Sequence, residues 1–427
     1  ADIFPAVGSR WAELALAVPT WHDNPAAAAE ALDEGIAAAP EVEPGTGTMD
    51  LASARLLALD VLLVEAFVRV RGVALGATAA AKLARAARGV ARRLDVPPVL
   101  SYPLYVLANP GAAPEGRQFT ATDDEARFIR LHREVEERCE AVIGVLKGVL
   151  AATDMAAALA EVGNDIVAHL RVASRTIGAF RSEAQVRRAV FRDDIRPYFG
   201  PVTDAATGDV LHHGPSGLQS PAFRILAMQM GYRDEVLDRS TRGVIAYQEA
   251  ATRRRMEGAL AHRDAGQSLT RLDEEAFGHA AVPHLHPAHG ADAQALLRLA
   301  EASGAVAASI GGDLDRLGIR LGAWPAGAPA PGPRALPAVR APGTLRNRRG
   351  LEAAVRVEAA FFAFHVEHVL TAAHHIGVVA GTGGTSGVEY LLLSTFRRGL
   401  PRLWRSGVGQ TLAEGLATAG RGGPGGP

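Results

Sequence analysis

"FFAFHVEHVLTAAHHIGVVAGTGGTSGVEYL", residues 361 to 391, decides the fold and the chemistry expected of this chain. In its first half Phe361, Phe364, His365, His368, Ala372, His375 and Ile376 fall along one side of a helix expected over 351–380. Its second half is a glycine-threonine turn. A phosphate loop closes on Gly-Lys-Ser/Thr, and a dinucleotide fingerprint needs a third glycine in register after a strand. Thr385 stands where the lysine belongs and Ser386 where the glycine belongs, and the turn follows a helix, so neither motif fits. Ser386 and Glu389 instead form a capping box that launches another helix, "GVEYLLLSTFRRG". Gly381, Gly383 and Gly384 permit left-handed backbone and close approach, while Thr382 offers a hydroxyl and an amide. The edge of a flat, bulky, partly anionic cofactor requires such a turn.

Outward from this segment the same periodicity recurs. Helical spacing without proline runs from Met49 to about Arg93, Asp123 to Ala151, Asp154 to Arg192, Gln219 to Arg263 and Asp292 to Leu317, and strand signals are nearly absent. Three interruptions break the pattern: the proline-punctuated 94–116, the turn-rich 200–217, and the proline- and glycine-rich 322–343, which reads as an extended surface connection. The expected fold is all-α. A small N-terminal helical domain and linker occupy 1–116, a larger helical bundle occupies 117–415, and a disordered tail occupies 416–427.

With 427 residues, 48% of them hydrophobic, the chain can bury a large core. Its 45 basic and 46 acidic residues nearly cancel, and no basic stripe with interleaved aromatics appears, so nucleic acid is not an expected partner. The single cysteine, Cys139, excludes an internal disulfide framework and a thiolate-rich metal cage. No stretch approaches about 18 consecutive apolar residues, and the first 25 residues carry charges and prolines where a signal peptide needs an apolar run. A cytoplasmic protein without a membrane partner is expected; a homo-oligomer stays open.

Neutral imidazole is the usual axial ligand of haem iron, and one histidine on a helix suffices. Ala372, one turn beyond His368, is small enough for a macrocycle to lie against the helix. Half-buried polar packing would use the same histidines, and spacing alone does not choose among His365, His368 and His375. A second cluster, His279, His284, His286 and His289 in "HAAVPHLHPAHG", lacks the helical His-Glu-x-x-His pattern of a zinc site and reads as a polar surface loop.

"HVLTAAHHIGVVAGTGGTSGVEYL" (368–391) resembles the segment of the haem-dependent tryptophan 2,3-dioxygenase superfamily that begins with the proximal haem histidine and runs into a Gly-Thr-Gly-Gly turn. That superfamily includes indoleamine 2,3-dioxygenase and a pyrrolnitrin-pathway enzyme. "LPRLW" (400–404) continues the match, and other blocks follow in the same order along roughly 94–404. "FIRLHREVE" (128–136) is similar to the distal helix, "FRDDIRPYFGP" (191–201) to the segment with the substrate arginine, "PSGLQSPAFR" (215–224) to the block beside the haem, and "LDVPPVLSYPLYVLANP" (94–110) to a stretch of indoleamine dioxygenase.

The resemblance implies haem b with dioxygen as co-substrate and a small aromatic amino acid as substrate. It makes His368 the proximal ligand, with His365 as fallback, and His132 the distal acid or base. Phe128, Phe191, Arg192, Arg196, Ser216, Gly217 and Thr382 become substrate contacts, with Arg196 on the carboxylate. Gly381, Gly383, Gly384 and Arg224 become cofactor contacts.

Departures keep the reaction open. Arg192 replaces the family's aromatic residue four before the substrate arginine, His365 replaces an arginine, and an insertion at about 202–213 separates Arg196 from Ser216. The expected activity is oxidative cleavage of the indole 2,3 bond. The alternatives are monooxygenation or rearrangement of a modified tryptophan in specialised metabolism, a haem sensor or carrier without turnover, and a haem-free helical scaffold.

Overall fold

The computed structural model describes residues 4–42, 49–110, 116–232, 241–269 and 348–376. The described chain is mostly helical, and one small strand pair is its only β structure. The expected cofactor turn (Gly381, Thr382, Gly383, Gly384), the capping box, the helix expected over 292–317, the proline-rich 322–343, the histidine loop 279–290, "LPRLW" and the tail all lie outside the described residues.

Four helices make the N-terminal part: α1 (Phe4–Trp21), α2 (Pro25–Ala38), α3 (Leu51–Arg71) and α4 (Ala77–Leu94). The continuous helical run expected from Met49 to Arg93 is two helices, because Gly72 adopts a left-handed conformation (φ 62°) that ends α3. Asp50 caps the start of α3 by accepting the amides of Ala52 and Ser53. From Leu57 to Phe67 nearly every position of α3 is buried, which leaves Asp60 inside the core. Asp60 is paired there with Arg117 at 2.6 Å, and burial still raises its pKa to about 6.

The second part is built on α5 (Asp123–Ala151), α6 (Met155–Ala179) and α10 (Arg348–Ile376), with α7 (Arg188–Val190), α8 (Pro221–Gln229) and α9 (Ala250–Asp264) around them. Along α6 the buried residues Leu159, Gly163, Ile166, Leu170, Ala173 and Ile177 recur three or four apart, and this stripe takes α10 along its length. The approach is close because the contact positions are small. A Cβ added to Gly163 would stand 2.8 Å from the Ala353 Cβ, and one added to Gly350 would meet Ala156. The apolar core runs from Trp11 through Phe128 to Phe364, across the boundary expected at 116.

Two expected helices stop early. The run expected to Arg192 ends at Ala179, where Arg181 and Ser182 close turns onto Gly178 and Ala179 and the chain turns at Phe180. It resumes as α7, a π turn Phe191–Ile195 and a 3-10 turn Arg196–Phe199. The run expected from Gln219 to Arg263 is split into a 3-10 turn Gly217–Gln219, α8 and α9. The expected turn region 200–217 contains an antiparallel pair, β1 (Val202–Thr203) with β2 (Val210–His212). Among the described residues no helix is long and apolar enough to cross a membrane.

Gly163→Val should separate α6 from α10 and destabilise the protein by about 1–3 kcal/mol, the usual cost of overpacking. Urea denaturation measures it. An unchanged midpoint would mean that the α6–α10 contact is looser than its geometry implies.

Candidate functional site

Where α5, α6 and α10 meet two irregular turns, a cavity of about 100 Å³ opens. Both of those turns are π turns, whose extra backbone residue redirects side chains that a regular helix would turn elsewhere. Pro103–Leu107 brings Tyr105 and Val106 to the wall, next to Tyr102, and Phe191–Ile195 brings Phe191. Phe128 and His132 come from α5 one turn apart, Ile177 and Phe180 from the end of α6, Phe199 from the 3-10 turn, and Pro215, Ser216 and Gly217 from the segment before α8. From α10 come His368, Thr371, Ala372 and His375, on one face three, four and seven residues apart.

The six residues Phe128, His132, Phe191, Ser216, Gly217 and His368, scattered in sequence, line this one cavity. Sequence reasoning did not single out Tyr102, Tyr105, Phe180, Phe199 or Thr371. Tyr102 and Tyr105 lie in the 94–110 stretch, so a signal was present. Phe180 had none, because it reads as one more apolar position of a continuing helix.

The structure does not bring the three expected arginines or His365 to that wall. Arg192 is exposed and gives both prongs of its guanidinium to Asp193, at 2.7 Å each, a surface ion pair in place of the expected substrate contact. Arg196 is half-buried at the head of the turn that ends in Phe199, and burial lowers its pKa. Arg224 is buried and donates through Nε to the Leu218 carbonyl at 2.9 Å, which braces the Ser216–Gly217 turn from behind. His365 sits in an aromatic nest, stacked on Tyr232 at 5.7 Å and edge-on to Phe361 at 4.6 Å.

The three cavity histidines differ in what their ring nitrogens do. His132 Nδ1 lies 2.9 Å from the Phe128 carbonyl. A carbonyl only accepts, so Nδ1 carries the proton and Nε2 is left as an acceptor. The ring is held between Phe128 (4.2 Å) and Phe180 (4.8 Å). His375 donates Nε2–H to the Phe180 carbonyl at 2.7 Å and meets the Phe191 ring edge-on. Neither nitrogen of His368 has a hydrogen-bond partner among the described residues. Its Nε2 faces Gly217, where an added Cβ would be 3.8 Å away.

Burial pushes both His132 and His368 down to about 4, and the proximity of His368 lowers His132 further. Both are neutral at pH 7, with a lone pair available on each ring. Among the described residues no Arg, Lys, Asp or Glu lines the cavity. The wall is therefore aromatic and uncharged, with one imidazole acceptor (His132) and one unengaged imidazole (His368). The unengaged imidazole of His368 is a donor that could ligate iron, and Ala372 keeps the helix surface next to it low. Among the described residues no three metal-ligating side chains converge to form a protein-only metal cage. No known family model and no curated protein matches this chain.

A histidine held near 4 in the fold and near 6.5 when unfolded contributes stability that is complete above pH 6.5 and is lost as pH falls toward 4. Asp60 and Glu136, raised to about 6 and about 7, act with the opposite sign, their contributions fading as pH rises through those values. A variant isolates one group. The urea-midpoint advantage of wild type over His132→Phe should shrink as pH falls from 7 to 4.5. A difference constant across that range would show that His132 titrates as an exposed histidine.

Proposed function

We propose that this protein is a haem-dependent oxygenase of tryptophan or a related indole or aromatic amino acid, with dioxygen as co-substrate and cleavage of the indole 2,3 bond as the reaction. The observation that carries this reading is His368, a neutral imidazole with both nitrogens unpartnered among the described residues, in an aromatic-walled cavity that also holds His132. The resemblance of the ordered sequence blocks to that superfamily supports this reading, as does a cavity that gathers Phe128, His132, Phe191, Ser216, Gly217 and His368 of those blocks, though not Arg192, Arg196 or Arg224.

His368 would hold the iron of haem b in a bundle of α5, α6 and α10 that encloses the group. When bound, ferrous haem supplies dioxygen activation. The chain's own side chains do the rest. Phe128, Phe191 and Phe199 take the faces of a planar substrate ring and exclude water from it. His132 Nε2, the acceptor of that wall, receives the substrate N–H, and as a neutral base it can take that proton during the reaction. Holding the ring in one orientation supplies much of the rate enhancement. The substrate carboxylate and ammonium fall to Arg196, three residues before Phe199, and to Thr382.

His368→Ala should purify without a Soret band, whereas His365→Ala should keep it, since position 365 stacks on Tyr232 away from the cavity. Haem retained by His368→Ala would overturn the ligand assignment. Wild type reduced with dithionite and given oxygen with a panel of aromatic amino acids should shift its spectrum with tryptophan or a relative and yield a product heavier by two oxygen atoms. One added oxygen, or an isomer, would assign monooxygenation or rearrangement. A Soret band without any product would indicate a sensor or carrier, and a colourless protein from haem-supplied cells would end the haem reading.

Arg196→Leu should raise KM for the amino acid roughly tenfold or more, because a charge-assisted contact contributes about 1.5–3 kcal/mol, and should leave the Soret band unchanged. An unaltered KM would remove Arg196 from the substrate.

A further inference from the structure

Four residues on one face of α5 are spaced three, four and four apart: Glu125, Phe128, His132 and Glu136. The middle two line the cavity. The outer two are buried carboxyls, and each takes the hydroxyl of a cavity tyrosine beside the same π turn: Tyr105 to Glu125 at 2.5 Å and Tyr102 to Glu136 at 3.0 Å. Both hydroxyls are thereby engaged in the protein, and the cavity meets the rings.

The two carboxyls are not equivalent. Glu125 also accepts the amides of Phe119 and Thr120 and the Thr120 hydroxyl, all within its own loop and helix start. Glu136 reaches across the site. Its other oxygen accepts the Ala222 amide at 3.3 Å, and the Ser220 hydroxyl also bonds it, so it ties α5 to the segment that carries Ser216 and Gly217. Gln219 of that segment accepts the Tyr102 amide at 2.8 Å. The Tyr102 ring stands edge-on to His132, with centroids 5.9 Å apart.

We propose that Glu136 is a positioning residue of the cavity: through Tyr102 and the 220–222 segment it fixes the orientation of His132 and the distance between the α5 wall and the Ser216–Gly217 wall. This rests on the cavity being the working site proposed above. The groups facing the carboxyl are Tyr102 beside the π turn, Ser220 and Ala222 at the start of α8, and Cys139 and Glu140 of α5, with Glu140 itself paired to Arg255 of α9 at 2.6 Å. No cation is among them, which agrees with a carboxyl raised to about 7 by burial.

The test compares full-length wild type, Glu136→Ala, Glu136→Gln and Tyr102→Phe by two readouts. The first, independent of haem, is the ring resonances of His132, assigned by its loss in His132→Phe. They should change with pH in a step near 7 in wild type, lose that step in Glu136→Gln, and be displaced in Glu136→Ala and Tyr102→Phe. The second is turnover of the substrate identified above, where Glu136→Ala should lower kcat about tenfold or more and Glu136→Gln should recover most of it below pH 7 while losing the pH dependence. If Glu136→Ala does not fold, the glutamine and phenylalanine variants carry both readouts. His132 resonances indifferent to all three variants in a folded protein would overturn the proposal. A protein without haem or turnover would overturn the oxygenase reading instead, and the resonance result would still decide the role of Glu136.

Discussion

The close approach of α6 and α10 at Gly163 and Gly350 sets where every cavity group on α10 can stand. Neither position has room for a side chain against its partner helix, so the two backbones are in contact and the rotation of α10 about its axis is fixed at that end. Polar ties fix the other end: the Thr371 hydroxyl on the Ile177 carbonyl at 3.0 Å, Arg181 on Glu367 at 2.5 Å, and His375 on the Phe180 carbonyl. His368 lies in the same stretch as these ties. With the helix locked on both sides, the face bearing residues 368, 371, 372 and 375 is committed to the cavity.

Burial then gives each histidine of that region a different task. An imidazole in an apolar wall stays neutral, and its two nitrogens must find a donor-acceptor arrangement or remain open to a ligand. His132 and His375 each spend one N–H on a backbone carbonyl, of Phe128 and Phe180. His365 is absorbed into an aromatic nest. His365, His368 and His375, which look interchangeable on a projection of α10, are thus separated by surroundings that no projection contains.

Much of this was legible in the sequence because it depends on period. The stripes of α5, α6 and α10 and the mostly helical class follow from spacing, and the blocks that carry the resemblance contain Phe128, His132, Phe191, Ser216, Gly217 and His368, which the structure places around one cavity. The end of α6 was not legible. Ala179 to Val186 carries no proline, and the turns there arise from tertiary demand for Phe180 at the wall. Arg192 and Arg224 stand away from the cavity for a related reason: Asp193 lies next to Arg192 and captures it, and Arg224 faces the Leu218 carbonyl, choices made by local geometry rather than by residue type. The reach of Glu136 across the site was hidden because a glutamate in "HREVEERCE" looks like solvated surface, and only the packing of Tyr102 and Ala222 over it reveals its burial.

The distribution of charge limits what can occupy the cavity and in which direction. Moving a carboxylate or ammonium into a wall of Phe128, Phe191, Phe199 and neutral imidazoles without a counter-charge costs several kcal/mol, enough to offset what ring burial returns. An amino acid entering such a site must therefore lead with its side chain and keep its charged end where a cation can meet it. The aromatic wall favours a flat side chain, and an acceptor at His132 Nε2 favours one with an N–H. An indole satisfies both requirements, and a phenyl ring satisfies only the first.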